Sequence, residues 1–218
     1  MLLFRPPTVY RAQGDTWILV EAFADEDVTA RTRVLDLCTG SGALAVAAAQ
    51  HGAGHVTAID ISRRAVLATW LNSRLRGLDV RALHGDLFEP VAGERFDVIV
   101  SNPPYVPAPD DRLPTGGSAR SWDAGTDGRA ILDRICAEAP AHLAPGGVLL
   151  LVFSAVCGKD LIVERLRAAG LDASVVGRSV EPFGPVMTAR AGLLEERGLI
   201  SPGQRHEELV VVRGQAPR

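Results

Sequence analysis

Short apolar runs alternate along the chain with longer amphipathic stretches, the pattern of a largely parallel sheet covered by helices on both faces. Val34-Leu35-Asp36-Leu37-Cys38 reads as a buried strand, and Ala43 to Gln50, rich in the best helix former, reads as a helix after a glycine-rich turn. His55 to Asp60 predicts a second strand, and Ser62 is placed to cap a helix that runs to about Arg76 before Gly77 stops it. Val80 to His84 and Phe96 to Ser101 give the third and fourth strands; Val148 to Phe153 gives a fifth, introduced by the Pro145-Gly146-Gly147 turn. Near the C-terminus, Ala173 to Ser179 and Glu208 to Arg213 predict two strands able to pair antiparallel. Between them lies an insertion, Glu181 to His206, with a helix over Val186 to Arg197. Pro103 to Gly125 has no periodicity and many Pro, Gly and Asp residues, so it reads as a long loop of the kind that often carries function.

At 218 residues the chain fits one α/β domain, 1–218. No apolar run is long enough to cross a bilayer, and the opening Met1-Leu2-Leu3-Phe4-Arg5 has no basic region followed by a long apolar one, so a cytoplasmic protein is expected. Cys38, Cys136 and Cys157 form no C-x-x-C pair and read as reduced thiols. A net charge of −3 argues against a surface built throughout for nucleic acid. His51 and His55 are separated by Gly52 and Gly54, and no Cys/His group has zinc spacing, so no metal is assigned. Arg63-Arg64, Arg74 and Arg76 read as a solvated helix face, Asp25-Glu26-Asp27 as a solvated helix end or loop, and Glu207-Glu208 as an exposed strand start.

The chemistry gathers at the ends of the first four strands. Asp36-Leu37-Cys38-Thr39-Gly40-Ser41-Gly42 leads from strand to helix, and its glycines let backbone N–H groups approach a nucleotide-like cofactor. Asp60 ends the second strand, where an acid accepts hydrogen bonds from ribose hydroxyls. Asp86 follows the third, placed to receive an adenine amino group, with Leu87 and Phe88 packing near the ring. The fourth strand ends in Ser101-Asn102-Pro103-Pro104-Tyr105. Two prolines remove donors and fix φ, so the Asn102 side chain and nearby carbonyls form a stiff acceptor edge suited to a planar NH2, with Tyr105 able to stack on it.

Together these residues resemble the class I S-adenosylmethionine (SAM)-dependent methyltransferases, specifically the HemK-like release-factor glutamine methyltransferases of the compact branch that lacks a helical N-terminal domain. The resemblance extends to Val9-Tyr10 with Asp15-Thr16 in an N-terminal cofactor-contacting segment (1–30), and to Trp122, Gly128-Arg129 and Asp133-Arg134 after the tetrad. It implies a doubly wound Rossmann-like fold, a seven-stranded mostly parallel sheet with an antiparallel last strand. SAM would be bound by Thr16, Asp36, Gly40, Gly42, Asp60, Asp86, Leu87 and Asn102, and the substrate amide held by the catalytic set Asn102, Pro103 and Tyr105. The implied substrate is the Gly-Gly-Gln loop of a peptide-chain release factor; some compact members also work with a small activating subunit. Base exocyclic amines of DNA or RNA present the same two donors on a plane and form the alternative, with a small-molecule acceptor or a non-catalytic SAM-binding scaffold behind it. Two departures stand out: Cys38 occupies a position where the family usually has glycine, and the 181–206 insertion, readable as a lid, is longer than in compact relatives.

Overall fold

The computed structural model describes residues 2–218; Met1 of the opening segment lies outside the described residues. Seven strands form one sheet in the order β3-β2-β1-β4-β5-β7-β6, from β1 (Arg33–Leu37), β2 (His55–Asp60), β3 (Val80–His84), β4 (Phe96–Ser101), β5 (Leu143–Ser154), β6 (Asp172–Pro182) and β7 (His206–Gln215). The first five run parallel, while β7 inserts between β5 and β6 and is antiparallel to both. Both the strand count and the antiparallel last strand agree with the sequence reading.

Alternation along each strand divides the core in two. Leu35, Leu37, Ile99, Leu149 and Leu151 face one side and pack on α4 (Ala130–His142) and α5 (Lys159–Ala168) through Leu132, Ile135, Ile162 and Leu166. Val34, Val98, Val100, Val148 and Leu150 face the other, against Leu19 and Phe23 of α1 (Gly14–Ala24) and Leu44 and Ala45 of α2 (Ala43–Gln50). Strands covered on both faces must be apolar throughout, which is why they appear in the sequence as continuous runs. α1, α4 and α5 add to the helices read from the sequence; α3 (Arg63–Arg74) and α6 (Pro185–Glu196) lie where it placed them.

Three local expectations need correction. Ser62 sits at the N-cap of α3, but its hydroxyl makes no capping bond; its N–H instead donates to Asp60 Oδ1 at 2.8 Å. The Pro145-Gly146-Gly147 turn does not precede β5 but bulges within it: Gly146 takes φ +74°, and the register to β4 shifts between Phe96 and Val98. Glu26 is not merely solvated, since it receives Arg213 of β7 at 2.7 Å. Among the described residues no helix is long and apolar enough to cross a membrane.

Candidate functional site

The sheet order reverses between β1 and β4, so the turns leaving their C-terminal ends diverge and open a crevice at the rim, the usual ligand site of doubly wound sheets. The β1 turn is held from behind by Asp36, whose side chain is fully buried: its Oδ2 receives Thr39 Oγ1 at 2.6 Å and the Ala45 N–H at 3.0 Å. Burial pushes this carboxyl from its ordinary 3.8 to about 7, against the two hydrogen bonds and with a further upward push from Asp60. Within the turn Cys38, Gly40 and Gly42 all take positive φ, +58°, +57° and +83°. An L side chain in the left-handed region costs about 1 kcal/mol, so Cys38 is the strained member where glycine would be relaxed. Gly42 has a steric reason as well, since an added Cβ would lie 2.9 Å from the Thr69 side chain. Gly40 faces the crevice, where an added Cβ would meet only Tyr10, at 3.9 Å.

Asp60 closes the turn from β2, accepting the Gly40 N–H at 2.9 Å as well as that of Ser62, and its partly buried carboxylate lines the crevice. Burial raises its pKa, opposed first by these two N–H donors. Asp86 pairs with Arg134, Nη1 lying 3.1 and 3.0 Å from its two oxygens. Leu87 lines the crevice, but Phe88 does not: it is buried in the core and stacked on His142 at a centroid distance of 4.5 Å.

At the end of β4 the Asn102 amide donates from Nδ2 to Thr16 Oγ1, at 3.1 Å. That bond orients the amide so that Oδ1 remains an acceptor in the crevice. Thr16 is in turn fixed by Asp15, whose Oδ1 accepts the Thr16 N–H at 2.6 Å and its hydroxyl at 3.2 Å. Oδ2 of Asp15 accepts both Tyr10 OH at 2.7 Å and Tyr105 OH at 3.0 Å. Burial, then the Asp15 charge, drives both phenols well above their ordinary range, so each remains a donor at neutral pH. Asp15 thus ties the N-terminal segment to the tetrad; the sequence named it only as part of that segment, and Tyr10 likewise. Gly128 lets the chain press against the tetrad, since a Cβ there would come within 2.4 Å of the Tyr105 carbonyl, which accepts the Cys157 thiol at 3.0 Å.

The tetrad loop is closed by paired backbone bonds between Val106 and Trp122–Ala124, and α6 packs on it through Met187, Ala191 and Leu194. Arg190 reaches Asp123 at 2.7 Å and the Pro107 carbonyl at 2.9 Å, while Arg197 reaches the carbonyls of Ala108 and Pro109. The insertion is therefore docked on the tetrad side of the crevice in this structure, with Phe183, Val186 and Met187 in its wall. Glu207 corrects a sequence expectation: it is 8% exposed, not an exposed strand start, and it lines the same wall.

The crevice forms one cavity of about 1300 Å³. Cavities for a single drug-sized ligand span roughly 300–1,000 Å³, so this one has room for a nucleotide-sized cofactor and an inserted side chain together. Thr16, Gly40, Asp60, Asp86, Leu87, Asn102, Pro103 and Tyr105 all line it; Asp36 and Gly42 stand behind the lining and shape the turn. The arrangement offers acceptors for ribose hydroxyls at one end and, across the Gly40 turn, a fixed amide acceptor beside an aromatic ring.

The methyltransferase small domain family matches residues 11–114. A Methanocaldococcus jannaschii protein described as a candidate protein N5-glutamine methyltransferase is 32% identical, covering 85% of this chain and 92% of its own length. The ribosomal protein uL3 glutamine methyltransferase of Bradyrhizobium diazoefficiens is 44% identical over 62% of this chain and 44% of its own length. The release factor glutamine methyltransferase of Deinococcus radiodurans is 38% identical over 73% of this chain. The chain spans 58% of that last relative, so it matches about half the length of these two bacterial proteins. In fold it resembles the Thermus thermophilus 16S rRNA N2 G1207 methyltransferase in complex with AdoMet and guanosine (TM-score 0.59, 23% identity, 94% of this chain and 44% of that one). It also resembles the E. cuniculi Mtq2–Trm112 complex responsible for methylation of the eRF1 termination factor (TM-score 0.61, 22% identity, 96% and 99%).

Proposed function

The chain belongs to the class I SAM-dependent methyltransferases of the HemK-like glutamine methyltransferase family, and from that membership we propose that it methylates the side-chain amide nitrogen of a protein glutamine, with the Gly-Gly-Gln loop of a peptide-chain release factor as the favoured target. The observation that carries this reading is the Asn102–Thr16 bond, which leaves a rigid acceptor in the wall of a cavity large enough for cofactor and side chain.

The residues present fit SAM. Gly40 leaves its face of the turn open to close approach, and Asp60 offers carboxylate oxygens at the nucleoside end. Thr16, the Gly40 backbone, Asp60, Asp86 and Leu87 would hold the cofactor, with Asp36 and Gly42 keeping the turn in shape. When bound, SAM supplies a methyl group already activated on a sulfonium.

The chain's own task is to prepare the acceptor. An amide nitrogen is a weak nucleophile because its lone pair is delocalised, so orientation and desolvation must do most of the work. Asn102 Oδ1 and the Pro103 carbonyl accept the two N–H groups and hold the NH2 in one plane. Tyr105, its hydroxyl anchored on Asp15, packs on the amide face. No strong base is needed before transfer, because the methylated nitrogen is acidic and gives up its proton readily.

The names of the relatives divide between release factors and uL3, and both are glutamine substrates within translation, which supports a cytoplasmic enzyme. A small activating subunit would have a ready surface: β3 is an edge strand, and Leu67, Trp70 and Leu75 beside it are exposed. The test is transfer of labelled methyl from SAM to purified release factor, its Gln→Ala loop variant, uL3, total RNA and duplex DNA. Label on the release factor and not on its variant is the expected result; label on nucleic acid alone overturns the glutamine reading.

A further inference from the structure

Asp15 lies in the first turn of α1 and is buried, 3% exposed. A carboxylate offers about four lone-pair sites, and a donor stands at each of them here. Oδ1 receives the Thr16 N–H at 2.6 Å and the Thr16 hydroxyl at 3.2 Å; Oδ2 receives Tyr10 OH at 2.7 Å and Tyr105 OH at 3.0 Å. All of these donors are uncharged. An acid at the positive end of a helix accounts for the first bond alone; the other three reach groups that line the cavity. With its acceptor sites filled, Asp15 has none left for a ligand, so its effect on the site passes through the residues it holds.

A threonine hydroxyl has a single proton to give. Thr16 gives it to Asp15, so toward Asn102 the same oxygen can only accept, and it is Nδ2 of Asn102 that approaches, at 3.1 Å. Oδ1 of Asn102 is thereby left for the cavity. The polarity of the acceptor edge is decided two hydrogen bonds behind it, by a group that itself only accepts. Tyr105 is held by the other oxygen of the same carboxylate, so the amide edge and the aromatic ring beside it share one rigid origin. An asparagine at position 15 would break this order. With its oxygen toward the two phenols, its NH2 would face Thr16, free the threonine proton for Asn102, and let the Asn102 amide turn its donor into the cavity.

We propose that Asp15 is a positioning residue that sets the hydrogen-bond polarity of the acceptor site through Thr16 and Asn102, and so makes the site select a side chain that presents an NH2 group. This rests on the glutamine reading above. Asp15 touches neither the transferred group nor the acceptor nitrogen; it fixes which end of Asn102 meets them. The methyl ketone that is isosteric with glutamine has the same shape and no charge, but it has no N–H to place on Asn102 Oδ1. Discrimination between the two is the property that Asp15 confers.

The experiment measures, by calorimetry with S-adenosylhomocysteine bound, the affinity of a Gly-Gly-Gln peptide and of the same peptide carrying the methyl-ketone isostere. The full chain, Asp15→Asn, Thr16→Val and the double variant are compared, with cooperative thermal unfolding as the check that each is folded. The wild type is expected to favour the glutamine peptide by about tenfold or more. In Asp15→Asn that ratio should fall toward one while S-adenosylhomocysteine affinity stays within a few-fold, and Thr16→Val, which removes the relay but leaves the carboxylate, should show the same fall. Each single variant should lose about tenfold or more in single-turnover rate, and the losses should not multiply in the double variant, because both break one relay. Multiplied losses would make Asp15 a separate structural support and overturn the relay. Equal affinity of the wild type for the two peptides, or an undiminished ratio in Asp15→Asn, overturns it as well and leaves the glutamine reading standing where the glutamine peptide is still methylated. If the wild type binds SAM and methylates neither that peptide nor the intact release factor, both readings fall.

Discussion

The side chain of Asn102 is fixed by Thr16: a 3.1 Å bond from Nδ2 to Oγ1 joins residues 86 positions apart and decides which end of the amide faces the cavity. Without it the amide can rotate and present a donor where the substrate needs an acceptor. Asn102→Ala should abolish transfer and leave SAM affinity within a few-fold, whereas Thr16→Val should lower kcat by about tenfold or more. Thr16→Ser, which keeps the hydroxyl, should restore most of the loss. Calorimetry and single-turnover rates separate the two effects, and loss of SAM binding in Asn102→Ala would show that its role is misassigned.

Asp60 has a different task. Its two oxygens hold the N–H groups of Gly40 and Ser62 and have lone pairs to spare for hydroxyl donors. A charge-assisted hydrogen bond contributes about 1.5–3 kcal/mol, so Asp60→Ala should raise the SAM dissociation constant by about 100-fold. Titration calorimetry reads this directly. Normal affinity in the variant would remove the ribose assignment.

Asp36 supplies a pH signature. Its carboxyl titrates near 7 in the folded protein, because it is desolvated, and near 3.8 when unfolded. Between those values the native state keeps a proton that the unfolded state has lost, so this group's contribution to stability declines as pH rises from about 4 to about 7 and is flat above. Asp36→Asn does not titrate. Urea denaturation from about pH 5 to about pH 8 should therefore show the variant gaining on the wild type as pH rises and then levelling off. Parallel curves would mean that the carboxyl is not perturbed.

Arg190 clamps α6 to the tetrad loop, and its ion pair with Asp123 is largely buried, the side chains 18% and 13% exposed. Arg190→Ala strands that carboxylate and should cost about 2 to 3 kcal/mol in denaturant unfolding. If the docked insertion forms the acceptor wall, KM for the protein substrate should rise while SAM affinity stays within a few-fold. A shift in SAM affinity with no change in acceptor KM would detach the insertion from substrate binding.

The sequence by itself determined the layered α/β architecture, because strands buried on both faces must be apolar and the turns between them require glycine or proline; β2, β3, β4 and α2 begin and end where the pattern placed them. It also determined the local chemistry of the site, since Asp60 ends a strand and Gly40, Asp86 and Asn102 each follow one within a few residues. Cys38 was recognisable as a departure from the family, but only the backbone, at φ +58°, showed it strained. What tertiary structure decided were relations between distant segments. Asp15 gathers Tyr10, Thr16 and Tyr105 because α1 packs across β5, β6 and β7 and brings its first turn to the tetrad, a contact spanning 90 positions between Asp15 and Tyr105. Glu26 and Glu207 looked like ordinary surface acids, since an isolated charge in a sequence is most often solvated. The antiparallel insertion of β7 between β5 and β6 is what brings Arg213 to Glu26, buries Glu207 and sets it opposite Glu181. Strand polarity is local, but strand order depends on how the whole sheet covers its two hydrophobic faces, and no window of sequence contains that information.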